Sequence, residues 1–244
     1  MITGIVVALT EELVTLTVKK LKKCGVTRLG DSIVIIYAGA GSENAAAAAG
    51  TLVKQGATKL ISWGCAAGLA ADIKPGLLIV ADQCVCADKS VVEPDNSWQR
   101  HTLDVLADQQ PHTGTIAESD KVVITRQDKL ELGATSGAIA VDMETAAIAR
   151  VAKANRIPFL VIRAIADPQT LDLPQAVVNA LDEDGQVILI KLLGYLLLHP
   201  GEIPSLIKLG CHFNTAKNSL KQAALKIDKI ANFAVSTEPT AQYS

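Results

Sequence analysis

The sequence predicts a single α/β domain with a central mixed, mostly parallel β-sheet flanked by helices and a helical C-terminal extension. Three observations carry this. Apolar residues make up 49% of the 244 residues while aromatics are only 3%. The excess is therefore Ala, Val, Ile and Leu, the composition of buried parallel strands under Ala-rich helices. Apolar runs of strand length alternate with helical patterns up to Asp167, with one interruption, and that rhythm builds such a sheet. A chain of this length can also bury one sizeable core.

The elements follow in order. ITGIVVAL (2–9) reads as a first buried strand, and Glu11 to Lys22 as the helix after it. Ser32 to Ala38 is a second strand, ending in AGAGSEN. The alanine run Ala45–Ala49 then lies in a helix that stops near Gly56. Lys59 to Trp63 is a strand closing into GCAAGLAADIKPG, where Pro75-Gly76 signals a turn. LLIVADQCVCA beyond it reads as one long strand. The polar stretch 88–112, with Pro94, Asp95, Asn96 and Pro111, reads as a surface excursion. Gly114 to Glu118 and Lys121 to Thr125 are short strands around Ser119-Asp120. From Ala138 the alternation resumes with a strand ending at Asp142 and a helix carrying Met143 and Glu144 on its first turn. The strand FLVIRAIA then delivers Asp167 at its carboxyl end. Helical patterns cover about 175–181, 185–198 and 203–232, with a break at Pro200-Gly201. The last dozen residues are polar and read as frayed. The expected division is a main domain over 1–198 and a helical extension over 199–244.

Several function classes are disfavoured. A formal charge of −2 advertises no nucleic-acid surface. Five cysteines (24, 65, 84, 86 and 211) are an odd number, and Cys84 and Cys86 are too close for a zinc knuckle with no second pair to complement them. No metal is expected, and a reduced, cytoplasmic protein is. The apolar N-terminal run has no basic region ahead of it, so it reads as a core strand and not a signal peptide. No apolar stretch reaches the ~18 residues that span a bilayer.

Four places could carry chemistry. Glu11 and Glu12 follow a strand end, either as first-turn acids favouring the helix dipole or as reacting groups. AGAGSEN can cradle an anion on backbone N–H groups, or be a plain tight turn. WGCAAGLA (63–70) uses small residues, letting the backbone approach a ligand or a helix approach the sheet; composition does not choose. Asp142 suits a helix N-cap and Glu144 a dipole partner. Asp167 is followed by Pro168 and no clear helix, so capping accounts for it poorly.

Gly4 to Leu13, Ala38 to Ala49, Trp63 to Gly76 and Ala140 to Asp167 together resemble the purine nucleoside phosphorylase and methylthioadenosine/S-adenosylhomocysteine nucleosidase superfamily. DMETAAIA followed by RAIAD is the specific part. The tail DEDGQVILIKLLGYLLLHPGEIPSLIKLGCHFNTAKNSL is in addition similar to the hopanoid-associated branch, thought to remove adenine from adenosylhopane. The resemblance implies cleavage of a ribose–base bond through an oxocarbenium-like transition state. Asp167 then corresponds to the acid at N7 of the departing purine. Glu144 corresponds to the carboxylate on the ribose hydroxyls, and Met143 to the apolar side chain under the sugar. Glu12 matches the group that activates water in the hydrolytic members. Cys65 and Ala66, with Val122 and Val123, would complete the substrate site.

Two departures matter. Where phosphorolytic relatives place an Arg and a Ser, this chain has Ser62 and Cys65. The loss of a bidentate guanidinium, with Glu12 nearby, disfavours phosphate and favours hydrolysis. Where relatives stack an aromatic ring on the purine, this chain has Val122 and Val123. The tail joins dense apolar residues to Lys191, Lys208, Lys217, Lys221, Lys226 and Lys229. It reads either as helices covering the core or as an interfacial segment on anionic lipid. The expected function is release of adenine from an adenosine with a large apolar 5′ substituent. Phosphorolysis of the same substrate, methylthioadenosine/S-adenosylhomocysteine cleavage and a non-catalytic nucleoside-binding module are the alternatives. No cofactor is implied, with phosphate the alternative co-substrate. The resemblance implies a homodimer or larger ring.

Overall fold

The computed structural model describes residues 1–180 and 188–235. Ten strands among the described residues form one sheet. They are β1 (Ile2–Val7), β2 (Val26–Leu29), β3 (Ile33–Tyr37), β4 (Ala57–Gly68), β5 (Leu78–Val80), β6 (Gln83–Val85), β7 (Val91–Val92), β8 (Thr115–Glu118), β9 (Ala140–Asp142) and β10 (Phe159–Asp167). The helices are α1 (Thr10–Leu16), α2 (Ser42–Lys54), α3 (Asn96–Val105), α4 (Arg126–Ser136), α5 (Thr145–Ala154), α6 (Gln175–Ala180), α7 (Leu189–Leu198), α8 (Ile203–Ala224) and α9 (Ile227–Ala231). The strand path is β2-β3-β1-β4-β9-β8-β6-β7, with β10 paired to β4 and β5. β1 runs parallel to β3 and β4, and β10 parallel to β4, whereas β9 meets the far end of β4 antiparallel. This is the mixed sheet the apolar runs predict.

Alternate residues of each strand go to opposite faces, so the core has two layers. Val34, Ile36, Val161 and Ile165 meet the alanine faces of α2 (Ala45, Ala49) and α5 (Ala146, Ala149, Ala152). Ile35, Ile61, Ile162 and Ala164 meet Ala216, Leu220 and Ala223 of α8, together with Ile230 of α9 and Trp98 of α3. Polar ties fasten this second layer. Thr3 Oγ1–H donates to the Ala231 carbonyl (2.7 Å), Trp98 Nε1–H to that of Ile230 (2.7 Å) and Ser219 Oγ–H to that of Gly76 (2.6 Å). Lys59 Nζ donates to the Phe233 carbonyl.

Several boundaries differ from expectation, each for a local reason. α1 ends at Leu16 because Thr17 is extended (φ −151°), in a β-branched run that disfavours continuation. LLIVADQCVCA is two strands. β5 pairs antiparallel with β10 and β6 pairs parallel with β8, so the chain changes neighbour at Ala81-Asp82. The polar stretch 88–112 contains β7 and α3, the latter capped by Asp95 accepting from Trp98 N–H (2.9 Å) and burying Trp98 completely. Residues 121–125 are not a strand: Ser119 Oγ–H donates to the Lys121 carbonyl (2.6 Å), and Thr125 caps α4. The expected helix start at 185 and the frayed end from 236 onward lie outside the described residues. No helix among the described residues is long and apolar enough to cross a membrane.

Leu220 is fully buried between α8 and the sheet. Leu220→Ala is expected to cost about 2–5 kcal/mol of stability by urea unfolding. A loss well under ~1 kcal/mol would show that α8 is not part of the cooperative core.

Candidate active site

Arg163 sits in the middle of β10, whose nine residues are all buried. A guanidinium there must be paired. Its Nε donates to Asp142 Oδ2 (2.5 Å), and its Nη2 to Ser62 Oγ (2.8 Å) and Thr145 Oγ1 (2.9 Å). Asp142 ends β9 two residues before the α5 N-cap, Glu144, and its Oδ1 accepts from the N–H of Glu144 (3.3 Å) and Thr145 (3.0 Å). Thr145 Oγ1–H donates to Asp142 Oδ2 as well. The N-cap position is Glu144 rather than the expected Asp142, because β9 runs on through Asp142 and α5 starts only at Thr145; the Asp142 side chain still serves N–H groups at the helix start, and the same carboxylate neutralises Arg163. Burial works against the Arg163 charge, but Asp142, Glu12 and Glu144 outweigh it and push its pKa up.

Glu12, buried on the first turns of α1, reaches back to the strand end. Its Oε2 accepts from the N–H of Leu9 (3.0 Å) and Ala8 (3.2 Å), and its Oε1 from Cys65 N–H (2.7 Å). Gly64 makes this possible. It pairs in register with Arg163, and a Cβ there would lie 2.5 Å from Glu12 Oε1 and 2.7 Å from Arg163 Nη1. The small-residue turn thus lets backbone approach a carboxylate of the protein itself. The AGAGSEN turn does likewise: Gly41, at φ +97°, donates its N–H to Glu144 Oε1 (2.7 Å).

Three carboxylates thus surround one guanidinium out of water, and they cannot all ionise cheaply. Burial pushes the Glu12 carboxyl up, opposed by Arg163 and by the three N–H donors. Burial, and then repulsion by Asp142, raises Glu144 from 4.5 to about 7. The Cys65 thiol is driven well above its ordinary value by burial and by Glu12, so it stays protonated and is no nucleophile.

Asp167 occupies the end of β10, opposite Ala67 in register. Ala67 lies two residues beyond Cys65, roughly 7 Å along the strand, and buried Ala66 lies between them. Asp167 Oδ2 is 2.6 Å from Lys129 Nζ, and Oδ1 is buried without a hydrogen-bond partner. Burial raises the Asp167 carboxyl, opposed by Lys129. Met143 is half-buried between Asp142 and Glu144. Val123 packs against the small cluster of Leu69, Ala117, Ala138 and Val141, while Val122 is 38% exposed. Arg163 and Lys129 were not among the residues singled out by sequence; a charge inside FLVIRAIA is a readable signal for the first, and nothing comparable marks the second.

Two clefts lie elsewhere. One, of about 430 Å³, is lined by Val91, Glu93, Asp95, Lys153 and Phe159 among others; the second, of about 340 Å³, by Gly76, Thr215 and Ser219. Neither touches Glu12, Glu144 or Asp167. The chemistry is better placed at the strand ends, where shifted carboxylates converge. Among the described residues, no His, Cys, Asp and Glu cluster is arranged to hold a metal ion.

Glu144 offers a pH test. Its folded pKa of about 7 lies above the ordinary 4.5, so its contribution to stability is present below about 4.5 and lost as pH rises through about 7. Melting temperatures of wild type and Glu144→Gln should therefore move in favour of the variant across that window. A difference that does not change with pH would contradict a raised Glu144.

Comparison with known proteins agrees with the fold. The family model described as the phosphorylase superfamily matches residues 8–193. The 5′-methylthioadenosine/S-adenosylhomocysteine nucleosidase of Helicobacter pylori, solved with butyl-thio-DADMe-Immucillin-A, is similar at 20% identity and TM-score 0.66, over 94% of this chain and 97% of that one. The futalosine hydrolase of Helicobacter pylori strain 26695 gives the same figures: 20%, 0.66, 94% and 97%. S-adenosylhomocysteine nucleosidase from Streptococcus pyogenes, in complex with 5-methylthiotubericidin, is 24% identical with TM-score 0.61 over 69% of this chain and 85% of that one. At these identities the solved structures speak for the fold alone. No match is found among curated protein sequences. Since the family model spans well over half of the chain, the protein belongs to the phosphorylase superfamily.

Proposed function

We propose that this protein hydrolyses the N-glycosidic bond of an adenosine bearing a large apolar 5′ substituent, an adenosylhopane-like nucleoside, and releases adenine. The observation that carries the reading is the gathering of Glu12 and Glu144 around buried Arg163, with Asp167 at the end of β10 opposite Ala67, two residues beyond the Cys65 N–H that holds Glu12. A raised carboxyl at Asp167 can donate a proton to N7 of the leaving purine. The electron pair of the breaking C–N bond goes to the base. Glu144 faces the ribose hydroxyls and the positive charge growing on the sugar, with Met143 beneath it. Glu12, whose carboxyl burial pushes up, takes a proton from the water that attacks the sugar carbon.

Water is favoured over phosphate because the Nε and Nη2 groups of Arg163 are already engaged by Asp142, Ser62 and Thr145. Ser62 itself is fully buried in that network. A phosphate would also meet the Glu12 carboxylate. Release of adenine from a 5′-alkylated adenosine, followed by chromatography, tests the reading. Release is expected in phosphate-free buffer. Release only with phosphate would make the enzyme a phosphorylase, and no release from any nucleoside would overturn the reading.

The apolar 5′ group is supported by the surface of α7 and the start of α8. Ile190, Leu193, Leu197, Leu198 and Ile207 are all more than half exposed, beside Lys191 and Lys208. Such a face suits the boundary of an anionic lipid layer, where a triterpenoid substrate resides. Because α8 is built into the core, substitutions serve better than truncation. Leu193→Glu with Leu197→Glu should abolish flotation with anionic liposomes while leaving the melting temperature near wild type; equal flotation would sink the lipid contact. A homodimer is the assembly proposed for the enzyme, with the neighbouring copy closing the sugar side of the site.

A further inference from the structure

We propose that Lys129 is a positioning residue for Asp167, pinning one carboxylate oxygen and leaving Oδ1 as the one that meets the departing base. The inference rests on the nucleosidase reading and deepens it.

Lys129 is the buried residue of α4, and its side chain is 0% exposed. Lysines are almost never buried so completely unless paired. All three ammonium donors are taken: by Asp167 Oδ2 (2.6 Å), by the Leu171 carbonyl (2.7 Å) and by the Pro168 carbonyl (3.3 Å). None remains for a ligand, so Lys129 can act only through Asp167. The two carbonyls belong to the loop that follows Asp167, which fixes the carboxylate relative to its own backbone. A lysine serving only that loop would need no anion. Here the charge goes to the carboxylate, and the other oxygen stays buried with no partner. An acceptor left unpaired in that way loses its hydration with nothing in return, unless it carries its own proton or meets a donor from a ligand.

The charged groups bearing on Asp167 are Lys129 from α4 and Asp172 from the loop, whose Oδ1 accepts from Arg126 N–H (2.6 Å). Burial and Asp172 favour the neutral acid, and Lys129 favours the carboxylate. During cleavage the Oδ1–H bond breaks and the N7–H bond forms, leaving a carboxylate against the ammonium. The attacking water passes its proton to Glu12, and exchange through solvent returns a proton to Asp167. Lys129 thus stabilises the state after proton transfer and makes Asp167 a stronger acid. The accompanying effect is that the protonated form is lost at lower pH.

The pH dependence of kcat and KM for adenine release from a 5′-alkylated adenosine tests this. Lys129→Met should raise the alkaline limb of kcat by about 1–3 pH units and lower kcat on the acid side by about tenfold or more, with little change in KM. Lys129→Gln keeps a donor for the Leu171 carbonyl and carries the same expectation should the methionine variant fail to fold. Lys129→Arg, which keeps the charge, should keep the wild-type limb. An alkaline limb unmoved in the Met and Gln variants, or an equal loss of rate at every pH, would overturn the proposal. A wild type that releases no base would instead overturn the nucleosidase reading, and this proposal with it.

Discussion

A single buried guanidinium fixes how the strand ends meet. β10 is buried along all nine of its residues and carries one cation, Arg163. Removing a partner from such a buried pair costs on the order of 3–5 kcal/mol, so Asp142, Ser62 and Thr145 must arrive together. They come from β9, β4 and the first residue of α5. A one-residue slip of β10 would turn Arg163 to the opposite face, into the layer of Ile61, Trp63 and Ala164. Register is therefore set by charge as well as by apolar pattern. The same constraint explains Gly64: any side chain there would occupy the space in which Glu12 and Arg163 approach each other.

The glycine turns belong to this constraint too. AGAGSEN reads as a cradle for an anion and WGCAAGLA as a close backbone approach, and in the folded chain each already serves a carboxyl group of the protein. Gly41 N–H serves Glu144 and Cys65 N–H serves Glu12. Neutral backbone donors can hold a carboxylate without adding positive charge. They leave Arg163 as the shared cation whose field reaches Glu12, Asp142 and Glu144. With one cation among three acids, protons must be retained, and Glu144 at about 7 is the clearest expression of that shortage.

What the sequence revealed follows from which physics leaves a pattern. Buried strands and alanine-faced helices write themselves as apolar runs, so β1, β3, β4, β10, α2 and α5 were legible, as were Glu12, Glu144 and Asp167 as strand-end acids. α3 was not, because it buries little besides Trp98, Gln99 and Thr102, too thin a stripe to stand out from a polar stretch. α4 was missed for a sharper reason: its buried residue is Lys129, and a lysine reads as surface unless its partner is known. The break between β5 and β6 depends on which neighbour each half pairs with, information that exists only in the assembled sheet. Arg163 could have been singled out, since an arginine inside a run of buried apolar residues that carries no acid until Asp167 at its very end demands compensation.

The separation of the two acid systems is what the proposed hydrolysis requires. Glu12 and Glu144 lie in the field of Arg163, whereas Asp167 answers to Lys129 and Asp172. If Asp167 shared the guanidinium, its proton and that of Glu12 would be coupled, and loss of one would hold back the other. β4 prevents this by placing the Cys65 N–H that holds Glu12 and the Ala67 register partner of Asp167 two residues apart. In the proposed reaction, one strand thereby presents two differently charged surroundings to opposite ends of the nucleoside. A group that gives a proton and a group that takes one can then operate in the same cycle, because each is poised by its own cation.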